Sequence, residues 1–107
     1  MFLIKYEKGL RVFYFCIMNN KLLVIGTIAY DAIESPFGKT GKILGGCATY
    51  IGLAASLFET HCGLISVIGS DFKSEYIDLL KGKKLDLSGV QYIPGEKTFF
   101  LEWEISQ

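Results

Sequence analysis

The sequence predicts an α/β fold built on a parallel βαβ core. Two short apolar runs that end in glycine, Lys21–Gly26 and Cys62–Gly69, are typical of buried strands. A helical pattern with apolar residues at three- and four-residue spacing, Cys47–Glu59, lies between them, and an amphipathic helix, Phe72–Gly82, follows. Strand, helix, strand, helix in this order predicts a parallel sheet with right-handed crossovers.

The composition supports one folded domain. The chain has 107 residues, of which 50% are hydrophobic and 14% aromatic, so it can bury a core and is not disordered. Eleven basic residues balance eleven acidic ones, and this zero net charge excludes a general electrostatic affinity for nucleic acid or an anionic membrane surface. No apolar run approaches the roughly 20 residues of a transmembrane helix.

The cysteines indicate a reducing compartment. The chain has three cysteines, Cys16, Cys47 and Cys62, which are widely spaced and form no CxxC motif. We therefore expect no disulfide framework, and we expect a cytoplasmic location. The single histidine, His61, adjoins Cys62, and adjacent side chains do not converge easily on one zinc ion. We therefore expect no metal site.

The first 17 residues differ from the rest of the chain. Charged residues interrupt this segment, no signal-peptide cleavage site follows, and Met18 precedes the first clear strand. We interpret residues 1–17 as an N-terminal extension and residues 18–107 as the domain proper. The alternative is that the segment forms a further N-terminal strand.

The remaining elements follow from local signals. Proline and glycine between Ala32–Ser35 and Lys42–Leu44 predict a small hairpin. Asp71 is predicted to cap the second helix and Gly82 to end it. Leu85–Val90 is predicted as a short strand.

Two further features concern packing. Gly52 weakens the first helix by roughly 1 kcal/mol relative to alanine, which predicts a close contact at that position. The alternating segment Thr98–Ile105 predicts a half-exposed strand of the antiparallel type.

Three segments are predicted to meet at the carboxyl edge of the sheet, where parallel sheets bind ligands. They are Thr27–Asp31, Gly45–Gly46 and Gly69–Asp71. A carboxylate at Asp31 is suited to accept hydrogen bonds from sugar hydroxyls, although a lone aspartate also caps turns. Gly45–Gly46 is either a simple turn or a helix start whose bare amides receive a hydroxyl or an anion.

Other candidate motifs are weaker. Cys47 and Tyr50 lie in the first helical turn, where they could line a pocket, although Cys47 could equally be a small core residue. Asp71 is more plausible as a cap than as a ligand. Gly38-Lys39-Thr40 resembles the end of a phosphate-binding P-loop, but Ile33 stands where that motif needs glycine, so we exclude it.

The order and spacing of five segments resemble the N-terminal part of the ribokinase-like (PfkB family) carbohydrate kinases. The resemblance extends from about Lys21 to the end of the chain. The segments are Gly26–Asp31, Gly45–Tyr50, Val67–Asp71, Leu85–Val90 and Thr98–Phe100.

The resemblance implies an α/β domain with a small β-lid over the substrate. The lid strands would be Ile33–Ser35, Lys42–Leu44 and Thr98–Ile105. By resemblance, Asp31 would bind substrate hydroxyls, Gly45 and Gly46 would form the hinge and the substrate-facing turn, and Phe100 or a neighbouring lid residue would cover the sugar. We expect no catalytic residue and no metal ligand in this chain. The expected substrate-binding residues are Asp31, Gly45, Gly46, Cys47, Tyr50 and Phe100.

The sequence also departs from the family pattern. Many members have asparagine where Tyr50 stands, and several have a polar residue where Cys47 stands, which argues against ribose itself and leaves a nucleoside open. Position 73, often part of a glycine-rich stretch, is Lys73. The Gly-Ala-Gly-Asp run that supplies the anion hole and the aspartate base does not occur in the 107 residues.

We therefore expect a fragment of an ATP-dependent sugar or nucleoside kinase. The intact parent would use ATP and Mg²⁺, whereas this chain alone is expected to bind neither and to be inactive. A homodimer through the lid strands is possible on this interpretation. The competing hypothesis is a non-catalytic small α/β binding or dimerisation module that pairs through its C-terminal strand.

Overall fold

A computed structural model describes residues 2–5, 12–18, 21–58 and 61–105. Residue 59, the predicted end of the first helix, lies outside them, as do residues 6–11 of the predicted extension. The described elements, in chain order, are β1 (Phe2–Lys5), β2 (Val12–Met18), β3 (Lys21–Ile25), β4 (Ala29–Ser35), β5 (Gly38–Lys39), β6 (Ile43–Gly45), α1 (Cys47–Ala55), β7 (His61–Gly69), α2 (Ser74–Gly82), β8 (Asp86–Ile93) and β9 (Phe99–Glu104).

The main sheet contains the predicted parallel core. Its strand order is β1-β2-β3-β7-β8, with β3, β7 and β8 parallel and β1 and β2 antiparallel at one edge. Helix α1 follows β3 by way of strands β4 to β6 and leads into β7, and α2 connects β7 to β8. The predicted βαβ architecture is therefore confirmed.

Both helices cover the same face of this sheet. Alternate strand residues such as Val24 and Leu64 are buried in one apolar cluster with Ala48 of α1 and Leu80 of α2. A Cβ atom added at Gly52 would lie 3.1 Å from a methyl group of Leu64, which confirms the predicted close contact. The helix tolerates glycine there because its backbone rests on the sheet.

The opposite face of the main sheet carries apolar side chains that no described element covers. We call it the open face and define it by four residues of β3 and β7. Their exposed fractions are 41% for Leu23, 40% for Ile25, 36% for Ile65 and 50% for Val67. The open face is apolar because parallel strands normally bury side chains on both sides of a sheet.

A second, smaller sheet lies at the carboxyl edge and corresponds to the expected lid. Strand β4 pairs antiparallel with β5 and β6 on one side and parallel with β9 on the other. The expectation that residues 98–105 form an antiparallel strand is therefore wrong. Strand β4 follows β3 in the chain, and β9 follows β8. Because β3 and β8 run in the same direction in the main sheet, β4 and β9 enter the lid from the same edge and run parallel.

The start of α2 differs from the prediction. Asp71 does not cap the helix, which has Lys73 at its N-cap position and begins at Ser74. The predicted end at Gly82 is confirmed. The left-handed residue lies two positions further on, at Lys84, with φ of 60°. The amide of Leu85 donates to the carbonyl of Leu80, the hydrogen bond of a Schellman-type end.

Strand β8 extends from Asp86 to Ile93, three residues beyond the predicted Leu85–Val90. Within residues 1–17, the described segments 2–5 and 12–17 lie in strands at the edge of the main sheet. The assignment of residues 1–17 to an extension stays a prediction. No helix within the described ranges has the length and apolar character needed to cross a membrane.

Candidate functional site

The site is centred on Asp31, which β4 places near the base of the lid. Its side chain is only 5% exposed. One carboxylate oxygen, Oδ2, accepts a hydrogen bond of 3.3 Å from the phenol of Tyr50 on α1. The other oxygen, Oδ1, is buried and has no hydrogen-bond partner in the described part of the chain. A buried acceptor of this kind is costly to leave unpaired, so it is suited to receive a donor from outside the chain.

Gly45 makes room for this carboxylate. It pairs with Ala29 at the end of β6, and a Cβ atom added there would overlap the Oδ2 atom of Asp31. The next residue, Gly46, has φ of +96°, a left-handed conformation that L side chains rarely adopt. The two glycines therefore allow the backbone to turn from the lid into α1 directly against Asp31.

The first amides of α1 are occupied by Thr27. The amide of Cys47 donates to Thr27 Oγ1 at 3.2 Å, and the amide of Ala48 donates to the Thr27 carbonyl at 2.9 Å. The Cys47 sulfur in turn accepts from the Thr27 amide at 3.4 Å. The expectation of bare amides at the helix start therefore does not hold for these two positions. Cys47 instead links the sheet edge to the helix through its hydrogen bonds with Thr27.

The third segment expected at this edge, Gly69–Asp71, is not open either. The amide of Ser70 donates to the Glu96 carbonyl at 2.9 Å, and the amide of Thr98 donates to Asp71 Oδ1 at 2.6 Å. The connection from β8 to β9 thus covers this segment. Of the three segments, the structure brings Thr27–Asp31 and Gly45–Gly46 together at Asp31. The third, Gly69–Asp71, contacts the first through the hydrogen bond that the Tyr30 phenol donates to the Asp71 carbonyl.

Phe100 lies on the other side of the lid from Asp31. In the β4–β9 register Phe100 is opposite Tyr30, whereas Asp31 is opposite Leu101. Because side chains alternate along a strand, Phe100 shares the face of Tyr30, and Phe99 and Leu101 share the face of Asp31. The Phe100 ring instead receives the ammonium of Lys42, 4.7 Å from its centroid.

Phe99 is the neighbouring lid residue that shares the face of Asp31. It is half exposed and borders a cleft of about 490 Å³ at the carboxyl edge, together with Thr27, Ile65 and Val67. A cleft of about 650 Å³ lies at the amino ends of the strands, next to His61. The cleft at the carboxyl edge is the stronger candidate for a ligand site, because open parallel sheets bind ligands beyond the carboxyl ends of their strands.

Tyr30 precedes Asp31 in β4, and its side chain is part of the apolar core. Its side chain is 3% exposed and packs against Phe72 and Tyr76, with ring centroids 5.6 and 6.0 Å away. Burial raises the pKa of the Tyr30 phenol above its usual value. The phenol therefore stays neutral, and it both donates to the Asp71 carbonyl and accepts from the Lys73 amide.

The described residues contain neither a cluster of metal-ligating side chains nor a P-loop at Gly38-Lys39-Thr40. Residues 21–58 and 61–105 contain no group of three or more His, Cys, Asp or Glu side chains arranged to hold a metal. Gly38 and Lys39 form a short lid strand, and Lys39 pairs with Glu34 at 3.1 Å. Thr40 Oγ1 accepts from the Ile33 amide, so the Gly-Lys-Thr sequence is part of a hairpin and not of a P-loop.

The chain is similar to a cytidine kinase from Thermococcus kodakarensis. The two are 37% identical over 75 residues, which cover 70% of this chain and 27% of that protein. A nucleoside kinase from Methanocaldococcus jannaschii, an archaeal member of the ribokinase family, superposes with a TM-score of 0.65 at 25% identity, over 74% of this chain and 30% of that one. The chain carries part of the ribokinase-like fold. No family model matches the sequence.

The ribokinase-like fold also recurs at lower identity. A nucleoside kinase from Burkholderia thailandensis, solved in complex with ADP-inosine, superposes with a TM-score of 0.64 at 21% identity, over 77% of this chain and 33% of that one. The predicted resemblance is thus confirmed. The chain spans about a quarter of the length of the curated relative that it matches.

Proposed function

We propose that this chain forms the acceptor-binding part of an ATP-dependent kinase that phosphorylates a hydroxyl group of a nucleoside or sugar. The observation that carries the proposal is the buried carboxylate of Asp31, whose Oδ1 atom has no partner in the described residues. A substrate hydroxyl would donate to this oxygen, and the lid strands would exclude water from the contact. Its role is to bind and orient the acceptor.

A nucleoside is the favoured acceptor. The relative with 37% identity is a cytidine kinase, and the exposed aromatic rings of Tyr50 and Phe99 beside the carboxylate suit a flat base better than a small sugar. Cys47, whose sulfur is engaged by Thr27, would contribute shape to this end of the site and not a charge. Gly45 and Gly46 would contribute the turn against which the substrate lies.

The phosphate donor would be handled elsewhere. ATP and Mg²⁺ belong to the intact parent activity in this proposal. It is supported by the lack, among the described residues, of a group of three or more His, Cys, Asp or Glu side chains that could hold a metal ion. The 107 residues also contain no Gly-Ala-Gly-Asp run. We therefore expect this chain alone to bind acceptor weakly, to bind no ATP or Mg²⁺, and to have no kinase activity.

A titration monitored by ¹⁵N NMR tests the acceptor site. Cytidine, inosine, ribose and fructose would each be added to the chain, and we expect nucleosides to shift the amides of residues 27–31 and 45–50. Asp31→Ala should weaken the affinity at least about tenfold, since hydrogen bonds to charged groups contribute about 1.5–3 kcal/mol. Glu34→Gln, an exposed carboxylate on the same strand, is the matched control and should leave the affinity unchanged.

A turnover assay tests the expected inactivity. The chain would be incubated with ATP, Mg²⁺ and the same four compounds, and phosphorylated product above the blank would contradict the proposal. Absence of any acceptor binding in the NMR titration would contradict it as well.

The alternative, a non-catalytic module that dimerises through the lid, is favoured by one observation. Within the described residues β9 pairs only with β4. Phe99 in this strand and Ile105 just beyond its end are 50% and 56% exposed. An exposed edge strand invites pairing with another chain. Sedimentation velocity would support this module if a dimer formed and Ile105→Lys abolished it.

A further inference from the structure

The short loop between β7 and α2 contacts both strands that lead into the lid. We define the lid anchor as three residues: Tyr30 on β4, Asp71 in this loop, and Thr98 just before β9. Tyr30 and Thr98 are 3% and 4% exposed. They come from distant parts of the sequence, yet both are hydrogen-bonded to Asp71.

Asp71 uses two different acceptors for these contacts. Its backbone carbonyl accepts from the Tyr30 phenol at 3.0 Å, and its carboxylate Oδ1 accepts from the Thr98 amide at 2.6 Å. The side-chain contact is short and charge-assisted, which makes it stronger than a neutral hydrogen bond. One residue of the α/β layer thus holds the second residue of β4 and the residue just before β9.

Neighbouring contacts hold the same segment from the other side. The amide of Gly69 donates to Thr98 Oγ1 at 3.0 Å, and a Cβ atom added at Gly69 would overlap the backbone of Glu96 and Lys97. The amide of Lys73 donates to the Tyr30 phenol at 2.9 Å. The end of β7 at Gly69 therefore packs directly against the backbone of the segment that leads into β9.

The anchor lies one residue away from the candidate site on each strand. Asp31 follows Tyr30, and Phe99 follows Thr98. The register pairs Ala29 with Phe99, so the side chains of Asp31 and Phe99 face the same side of the lid at its base. A displacement at the anchor would change the separation between the carboxylate and the aromatic ring.

We propose that Asp71 is a positioning residue that fixes β9, and with it Phe99, against Asp31. Its carboxylate contacts the protein backbone at the Thr98 amide. The positional role follows from the contacts alone, and its consequence for acceptor affinity rests on the proposed function.

Hydrogen exchange of the 107-residue chain, read by NMR at single amides, tests the positional role. In Asp71→Ala the Thr98 amide loses its acceptor, and we expect its exchange to be about tenfold faster, with smaller increases along β9. The amides of β7 provide an internal reference, because a change confined to the lid leaves them unaltered. Asp71→Asn keeps a neutral acceptor and should show an intermediate effect.

Two further variants complete the design. Tyr30→Phe removes the other contact to Asp71 and should accelerate exchange in β4 more than in β9. Asp78→Asn removes an exposed carboxylate on α2 and serves as the matched control, with no expected change in the lid. If Asp71→Ala does not fold, the comparison of Asp71→Asn with Asp78→Asn still tests the same contact.

Measurements of acceptor affinity distinguish the positional role of Asp71 from its effect on acceptor binding. Cytidine and inosine titrations should show weaker binding in the order wild type, Asp71→Asn, Asp71→Ala, with about a tenfold loss for alanine. Unchanged exchange at Thr98 and along β9 in Asp71→Ala would overturn the positional role. Faster exchange with unchanged affinity would overturn its link to binding. Faster exchange in a chain whose wild type binds no acceptor would support the positional role and contradict only the proposed function.

Discussion

Gly45 is the residue at which one added carbon atom should disturb the candidate site. A Cβ atom there would overlap Asp31 Oδ2, and both residues lie in the buried base of the lid. We expect Gly45→Ala to reduce the free energy of unfolding by about 1–3 kcal/mol, because overpacking forces neighbouring atoms to move. Urea denaturation followed by circular dichroism would measure the loss.

Gly41→Ala is the control for this substitution. No atom lies within 4 Å of the position that its Cβ would occupy, so its effect should stay within about 0.5 kcal/mol. Equal effects of the two substitutions would mean that Gly45 does not make room for the carboxylate.

Asp71 should make the stability of the chain depend on pH. Hydrogen bonds from Thr98, first from its amide, hold the pKa of the Asp71 carboxyl below its usual value of 3.8, and the charge of Lys42 adds to this effect. A lowered pKa in the folded state stabilises the fold above the unfolded pKa, and the gain is lost as pH falls through the folded pKa. The difference in unfolding free energy between wild type and Asp71→Asn should therefore be constant from pH 7 to 5 and shrink below pH 4.

Urea midpoints at pH 6, 5, 4 and 3 would measure this difference. The pKa of Asp86 is also lowered, by the amide of Ser88, but both proteins share that carboxylate and its contribution cancels. Glu96, Lys97, Lys73 and Tyr76 are the other ionisable side chains near the anchor, and they are likewise common to both proteins. A difference that does not vary between pH 6 and 3 would contradict the prediction.

The residues of the candidate site were predicted from the sequence, but the lid residue on the same side as Asp31 was left open. Asp31, Gly45, Gly46, Cys47 and Tyr50 were predicted from residue type and resemblance. The structure places Gly45 and Tyr50 against the Asp31 carboxylate, whereas Gly46 and Cys47 lie against Thr27. The resemblance gave Phe100 or a neighbouring lid residue, because Phe99 and Phe100 are adjacent and equally aromatic. Only the pairing of β9 with β4 decides which of them faces Asp31, and that register is a tertiary property.

At the scale of elements, the end of α2 offers a stabilising substitution. Lys84 has φ of 60°, a conformation that a side chain with a Cβ atom adopts at a cost of about 1 kcal/mol. We expect Lys84→Gly to raise the free energy of unfolding by about 0.5–1 kcal/mol, since glycine is the preferred residue at this position of a helix end. Thermal denaturation would show a higher Tm.

Lys83→Gly is the matched control, one residue earlier and with the same loss of charge. Lys83 has φ of −86°, so glycine there only adds flexibility to the unfolded chain and should lower stability. If both substitutions changed Tm in the same direction, charge removal and not backbone conformation would be responsible.

Helices and buried strands were predictable because their signals are local. Apolar spacing identified α1, α2, β3 and β7, and glycine marked the close approach of α1 to the sheet at Gly52. The direction of β9 was not predictable from its alternation, which fits either pairing when both faces of a strand are partly exposed. The start of α2 shifted because Asp71 binds Thr98 in place of the helix end.

At the scale of the whole molecule, the topology accounts for the open face. Strands β3, β7 and β8 are neighbours in the sheet and follow one another across it in chain order, and each is joined to the next by a crossover that contains one helix. Crossovers of one hand that progress in one direction place their helices on one side of the sheet. Helices α1 and α2 therefore share a face, and nothing in the described ranges covers Leu23, Ile25, Ile65 and Val67.

This uncovered surface should make the isolated chain self-associate. Contiguous exposed apolar side chains drive association, and a parallel sheet normally buries both of its faces. The double substitution Ile65→Thr with Val67→Thr keeps β-branched residues, so it should preserve the strand while making the face more polar. We expect the sedimentation coefficient of wild type to rise with concentration and that of the double variant to rise much less. Leu57→Thr, at a side chain 83% exposed beyond the end of α1, is the control and should sediment like wild type. Association that persists in the double variant but disappears in Ile105→Lys would instead assign the contact to the lid, because only that substitution lies next to the C-terminal end of β9.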